Sequence, residues 1–371
     1  MIRVIYPQDT ATLYEASSST NTSLDETVRL SKYVSGSGDD PNSDKINLAR
    51  TLVRFNSTEM LNMSSSAGSH KPSATKAYKL KMFVAEEANV RNSYTVEVAP
   101  VSTSFGTWIS GTGRKTNIPR VKDGVCWANP DGGDTAWAHF NAATIDTAGF
   151  RNDNYIFTQS YNNIQGDIDL DVTTGVTQQL TDIGVDGTNG GFVVSFSSSL
   201  ELDNKNYGDV VYFSKNTQTI YSPKLELHYD DTPSYTVDGM THITSGSQAQ
   251  DIKVNARLQS EYKRGSIVRI HLDPEPQFIA RSQTGAVSTG AAYALPDNTL
   301  YTIIDETTNE QFIQYNSTST KVAVSQSNYF DIDTTGLYPE RYYRVQIQVP
   351  DLLYTGSVSY FDIPTIFKVV R

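Results

Sequence analysis

A single cysteine in 371 residues, Cys126, rules out an intrachain disulfide and with it a disulfide-stapled secreted scaffold. No apolar run approaches the ~18 residues that a membrane-spanning helix needs. The opening Met1-Ile2-Arg3-Val4-Ile5-Tyr6-Pro7 lacks the long apolar stretch of a secretory signal. Basic residues are few: 30 Lys and Arg face 41 Asp and Glu, a formal charge of −11. Through Asp231 there are 19 basic and 27 acidic residues, and after it 11 and 14. Neither part is basic, so a phosphate-backbone partner is not expected. These absences predict a soluble acidic protein made in a reducing cytosol, with neither nucleic acid nor membrane as its partner.

Clusters that carry chemistry are missing as well. His70, His139, His228, His242 and His271 never fall at i, i+2 or i, i+4 of one another, and Cys126 has no ligand-type neighbour. A zinc tetrahedron needs such clustering. The signatures G-x-S-x-G, G-x-x-x-x-G-K-[ST] and H-E-x-x-H do not occur. Gly111-Thr112-Gly113-Arg114-Lys115 has the glycines and cations of a phosphate cradle but no strand-to-helix setting, so it reads as a loop. The 41 acids offer many pairs for glycoside hydrolysis, yet nothing selects one. The expectation is a protein that is not an enzyme and holds no cofactor.

What the chain has is alternation. Tyr78, Leu80, Met82 and Val84 alternate with Lys79, Lys81 and Phe83, Tyr94, Val96 and Val98 with Thr95 and Glu97, and Leu225, Leu227 and Tyr229 with Lys224, Glu226 and His228. Period two marks half-buried strands, and it places His228 and His271 on the polar, solvated side. Phe192, Val194 and Phe196 form a further run, and Val210-Val211-Tyr212-Phe213 reads as a strand buried on both faces. Helical signals are confined to Thr58–Met63 and Ala85–Asn89, each worth a turn or two. Long polar stretches cover 17–23, 35–44 and 64–73. A strand ends at Tyr229-Asp230-Asp231-Thr232-Pro233-Ser234, the best domain boundary. Strands then resume at Ile252–Leu258, Val268–Leu272 and Tyr343–Val349, a spacing that suits an immunoglobulin-like sandwich. The chain is therefore expected to be all-β, with domains at 1–231 and 232–371.

Two groups are candidate binding residues. Asp167, Asp169 and Asp171 point to one face of a strand and could ligate calcium, against the plainer reading of a solvated acidic edge. Trp108, Trp127 and Trp137 lie within 30 residues of sequence and could stack on the apolar faces of glycan rings. The competing reading, favoured by the usual burial of tryptophan, makes at least two of them core.

Several segments resemble a known family. Asp9-Thr10-Ala11-Thr12-Leu13-Tyr14-Glu15 and Arg50-Thr51-Leu52-Val53-Arg54-Phe55 are similar to strands of DNRLRE-type β-sandwich domains. So are Trp108-Ile109-Ser110-Gly111-Thr112-Gly113 with Gly124-Val125-Cys126-Trp127, Asp171-Val172-Thr173 with Asn189-Gly190-Gly191-Phe192, and the closing Ser222–Tyr229. The combination resembles virion structural proteins of contractile-tailed bacteriophages. There an immunoglobulin-like domain follows, which Phe330–Asp333, Gly336–Tyr343 and Phe367–Val370 resemble. The resemblance implies a jelly-roll-like sandwich followed by an immunoglobulin-like one. It also implies a place in the virion at the neck, tail or baseplate, other virion proteins as partners, and a homo-oligomer of cyclic symmetry. The alternative is a carbohydrate-binding adhesion module for host surface glycans. No active or ligand residue is carried over.

Overall fold

The computed structural model describes residues 1–35, 45–70, 76–101, 108–133, 137, 152, 154–162, 166–229, 241–242, 252–276, 293–324, 327–350 and 356–371. The expected linker at Asp230–Ser234 lies outside them, as do residues 36–44 and 71–73 of two polar stretches, and His139.

Strands dominate. In chain order the first twelve are β1 (Ile2–Ile5), β2 (Pro7–Tyr14), β3 (Thr27–Ser35), β4 (Lys45–Phe55), β5 (Lys76–Met82), β6 (Val84–Ala88), β7 (Ser93–Pro100), β8 (Phe157–Asn162), β9 (Ile168–Asp171), β10 (Phe192–Phe196), β11 (Gly208–Phe213) and β12 (Lys224–Tyr229). Helices α1 (Ser57–His70), α2 (Thr173–Asp186) and α3 (Ser198–Glu201) fall among them. Then follow β13 (Thr241–His242), β14 (Ile252–Ala256), β15 (Glu261–Lys263), β16 (Ile267–Pro276), β17 (Tyr293–Ala294) and β18 (Leu300–Asp305). The last are β19 (Gln311–Ile313), β20 (Tyr329–Asp333), β21 (Tyr342–Pro350), β22 (Val358–Asp362) and β23 (Phe367–Val370). The chain is all-β and divides into two compact units. One holds Ile5–Ser65 and Ala77–Glu226, and the other Met1–Val4, Ser66–Lys76 and Leu227–Arg371.

In the first unit β4 is the pivot. Along one edge it pairs with β3 through residues 45–49 and with β10 through residues 51–53. Along its other edge β2 runs antiparallel from Ala49 to Phe55. The sheet continues as β6-β11-β3-β4-β10-β7-β8. The strands β6 and β7, consecutive in sequence but separated in this order, are linked because the Tyr94 hydroxyl on β7 donates to Glu87 on β6. A second layer carries β5 paired with β9. The alternation in β5 and β7 lies as expected, with Tyr78, Leu80, Met82, Tyr94, Val96 and Val98 all buried.

Three local expectations fail for physical reasons. Ala85–Asn89 is strand β6 and not helix: pairing with β11 overrides the helix preference of Ala and Glu, and Asn89 at φ +56° turns the chain. α1 extends over fourteen residues, well past Met63. His228 is 7% exposed, its Nδ1 2.8 Å from Ser319 Oγ, and every residue of β12 is buried. Alternation identifies a polar face without saying that the face is wet. Glu226 shows why a polar face can be covered, for it sits between Lys224 at 2.9 Å and Lys81 at 3.2 Å.

The second unit is a sandwich of a sheet β14-β16-β20 and a sheet β15-β23-β21-β18-β19, with β22 added to β21. Tyr301 of β18 stacks on Phe330 of β20 at 4.1 Å between centroids, joining the two layers. At the start of β21 the Tyr343 hydroxyl accepts from Tyr338 N at 2.9 Å and donates to Tyr338 O. Such a hydroxyl-to-backbone closure is similar to the tyrosine corner known from some β-sandwiches. Met1 and Tyr229 exchange backbone hydrogen bonds, and Arg3 Nε donates to Asp333 at 2.6 Å.

Buried charge holds β4 in register. Arg50 makes a two-pronged pair with Glu201, the side chains 3% and 2% exposed. Glu201→Ala strands a buried guanidinium and should cost about 3–5 kcal/mol, whereas Arg50→Met with Glu201→Leu should recover most of that loss. Urea denaturation followed by tryptophan fluorescence checks both, since Trp108, Trp127 and Trp137 all belong to the first unit.

Candidate functional site

The period of two along β4 puts Arg50, Leu52 and Arg54 on one face. The segments that carry the tryptophans fold onto that face. Arg54 donates to Asp9 Oδ2 through Nε at 3.1 Å and Nη2 at 2.5 Å, and to Trp108 O through Nη1 at 2.5 Å. Its guanidinium also lies 4.3 Å from the Trp108 ring centre, and that of Arg50 lies 5.5 Å from Trp127. Burial raises the Asp9 carboxyl pKa, but Arg54 and Lys215 outweigh burial and hold it below the usual value. Trp108, Trp127 and Trp137 are 1%, 4% and 2% exposed and share one core with Leu13, Leu52, Val125 and Val193. Their indole rings therefore offer no open face to a sugar. Trp108 Nε1 donates to Gly190 O and Trp137 Nε1 to Cys126 O.

The polar stretch 17–23 is the hub of the same region. Asn21 is fully buried, and its amide is used on every side. Nδ2 donates to Val125 O at 2.9 Å and to Ser23 Oγ, while Oδ1 accepts from Gly113 N at 2.8 Å and from Ser23 N. Its backbone N donates to Val121 O, and Leu24 N donates to Gly113 O. The glycines of the two loop strands touch directly: a Cβ on Gly124 would come within 2.3 Å of Gly111 N. Asp123 closes the loop base by accepting from Thr112 N and Thr112 Oγ1. The Thr112 hydroxyl is the main cause that lowers the Asp123 pKa.

On this base stands the loop 114–122, Arg-Lys-Thr-Asn-Ile-Pro-Arg-Val-Lys, with four basic residues and no acid in a chain of charge −11. At its tip Ile118 is 96% exposed, the most open large apolar side chain among the described residues. Arg114 N donates to Asn117 Oδ1 and Asn117 N to Arg114 O, which closes the turn. Lys115 N donates to Asp25, and the Lys115 ammonium lies 4.1 Å from the Tyr14 ring centre. The arrangement presents one exposed apolar side chain in a segment of four basic residues, on a hydrogen-bonded base. Neither the exposure of Ile118 nor the internal bonding was signalled by sequence, where this segment reads only as a loop.

The three aspartates considered for calcium have separate partners. Asp167 accepts from Val84 N, Asp169 pairs with Lys79 at 3.4 Å and Lys81 at 3.6 Å, and Asp171 accepts from Thr173 N and Oγ1 at the start of α2. Among the described residues no group of three or more His, Cys, Asp or Glu is placed to hold a metal ion. The most perturbed titratable cluster is Glu87 with Tyr94, Tyr161 and Tyr212. Burial pushes the Glu87 carboxyl up, and its Oε2 finds no donor among the described residues. Tyr94 and Tyr161 stack at 4.7 Å within this cluster.

No family model, no curated protein and no solved structure matches the chain.

Two stability predictions follow from this geometry. Gly124→Ala drives a methyl group into the backbone of Gly111 and should cost about 1–3 kcal/mol, as overpacking does. Gly184→Ala in α2, where a Cβ meets nothing within 4 Å, should instead add about 0.5–1 kcal/mol. Tryptophan-monitored denaturation reads both. The raised pKa of Glu87 means that the folded state holds its proton more tightly than the unfolded chain does. Its stabilising contribution is complete below the ordinary value of 4.5 and is lost as pH rises through the folded value. Glu87→Gln should remove that loss, so melting temperatures measured from pH 4 to 7 should fall less steeply with pH in the variant.

Proposed function

We propose that this chain is a non-enzymatic structural component of a tailed-phage virion, at the neck, tail or baseplate, and that it works through protein–protein interfaces. The observation that carries the reading is the 114–122 loop. Covering an almost fully exposed isoleucine gains free energy, and the basic residues of the same segment favour an acidic surface for doing so. The resemblance of residues 1–231 to virion structural proteins supplies the setting. The partners in this reading are other virion proteins, and closed cyclic symmetry gives the same loop to every copy in a ring. The role suits a loop whose base is held by the hydrogen bonds of Asn21, because such a loop has less ordering to pay for on docking. A glycan-binding role no longer rests on Trp108, Trp127 and Trp137, whose rings are covered.

Antibody against this chain, applied to purified particles of the phage that encodes it, should label one fixed place in electron micrographs. Ile118→Asp with Arg120→Glu should leave the melting temperature within about 2 °C, since exposed substitutions stay near ~0.5 kcal/mol. The same pair should strip the label from the particles. Unlabelled wild-type particles, despite abundant protein in infected cells, overturn the reading.

A further inference from the structure

A different surface, on the second unit, carries an inference that does not depend on the virion reading. The side chains of β21 alternate between a buried row, Tyr343, Val345, Ile347 and Val349, and an outward row that contains Gln346 and Gln348. β22 lies beside it with Gln346 opposite Asp362 and Gln348 opposite Tyr360. Partners directly across a pair stand on the same face, so Tyr360 and Asp362 join the outward row. Tyr315 completes the group, its ring centre 5.9 Å from that of Tyr360.

These five side chains hold one another. Tyr315 Oη donates to Gln346 Oε1 at 2.9 Å, Gln346 Nε2 to Asp362 Oδ1 at 2.8 Å, and Gln348 Nε2 to the Tyr360 hydroxyl at 3.3 Å. Tyr360 is nevertheless 56% exposed, and Val358 beside it on β22 is 40% exposed. Tyr360 therefore keeps more than half of its surface open to a ligand. The group offers a fixed aromatic ring, two primary amides and one carboxylate, with a single ionic charge among them.

That chemistry fits one class of ligand. A pyranose ring has an apolar C–H face that packs on an aromatic plane, and equatorial hydroxyls at its rim that both donate and accept. Amides do the same, and a carboxylate accepts from two neighbouring hydroxyls. A phosphorylated or sulfated ligand would meet Asp362 and the acidic charge of the chain, so an uncharged sugar is favoured. We propose that the outer face of β21 and β22, through Tyr315, Gln346, Gln348, Tyr360 and Asp362, binds neutral hexopyranose chains.

The test uses the full chain and three probes, cellohexaose, maltohexaose and mannohexaose, titrated by tyrosine-region NMR shifts and by calorimetry. At least one should bind saturably below about 10 mM, equivalent to roughly 3 kcal/mol or more. Tyr360→Ala should weaken that binding at least tenfold, and Gln346→Ala should do so as well. Tyr360→Phe keeps the ring, loses only the Gln348 bond, and should retain most of the affinity. Melting temperature should be unchanged in the Tyr360 variants, which separates lost binding from lost folding. Absence of saturable binding to all three probes overturns the proposal, as does binding that survives Tyr360→Ala undiminished. Virion labelling at the neck, tail or baseplate is independent of either result.

Discussion

The first unit depends on one buried amide. Asn21 has two donors and an acceptor oxygen with two lone pairs, and the structure uses all of them. The segment 20–25 and the two flanks of the loop, 109–113 and 121–125, distant from it in sequence, are fixed by that side chain and by the backbone bonds around it. None of these segments is strand or helix, so their backbone groups have no ladder to satisfy them. In a core, each unsatisfied group would cost about 1–3 kcal/mol. The amide therefore does for these loops what a ladder does for a sheet. Small residues complete the arrangement, because Gly111, Gly113 and Gly124 approach Asn21 and each other more closely than a Cβ would permit.

Charge is used in a similar way. Only 19% of the residues are charged, yet several ion pairs are buried: Arg50 with Glu201, Arg54 with Asp9, Lys32 with Asp203, and Glu226 with Lys81 and Lys224. Against a well-packed apolar pair of the same size, such a contact adds little net stability. Its effect is on alternatives. A slip of β4 by one residue would turn Arg50 and Arg54 to the opposite face, leaving Glu201 without its guanidinium and Asp9 with Lys215 alone. Leu48, Leu52 and Phe55 could tolerate a shifted apolar environment far better than two guanidiniums could. The register of the strand that pairs with β2, β3 and β10 is thus set by its charged residues.

The alternating segments were legible because period two has one geometric meaning. β5, β7 and β21 follow it residue by residue, and the all-β class follows from them. What the alternation does not contain is the fate of the polar face. β12 has the same pattern as β5, but Glu226 and His228 are covered and paired while Lys79 remains half-exposed. α2 escaped notice because its start depends on Asp171 accepting from Thr173, a contact that looks in sequence like part of an acidic strand edge. β6 escaped because Ala and Glu favour helix locally and only pairing with β11 makes a strand of them. Of the candidate site residues, sequence identified the tryptophans by type but could not tell that Arg50 and Arg54 would lie beneath them. Ile118 and Tyr360 carried no signal at all. Exposure is a property of the fold, and an isoleucine before a proline or a tyrosine in a strand is ordinary in sequence.

The short motifs that resemble the sandwich family have one feature in common in space. Arg50-Thr51-Leu52-Val53-Arg54-Phe55, Trp108–Gly113, Gly124–Trp127 and Asn189–Phe192 all meet around the same buried face of β4. Trp108 bonds to Gly190, Arg54 to Trp108, and Asn189 to Phe55 O. Residues of this kind hold one another in place, so their spacing in sequence follows from their contacts in the fold. Surfaces that meet other molecules are under the opposite constraint. The 114–122 tip and the Tyr360 face leave side chains exposed on internally bonded bases, so their use depends on what they would meet and not on the packing beneath them. The same division explains why a motif-rich core and a motif-poor surface can belong to one protein: the core motifs specify the fold, and contacts made outside them specify its use.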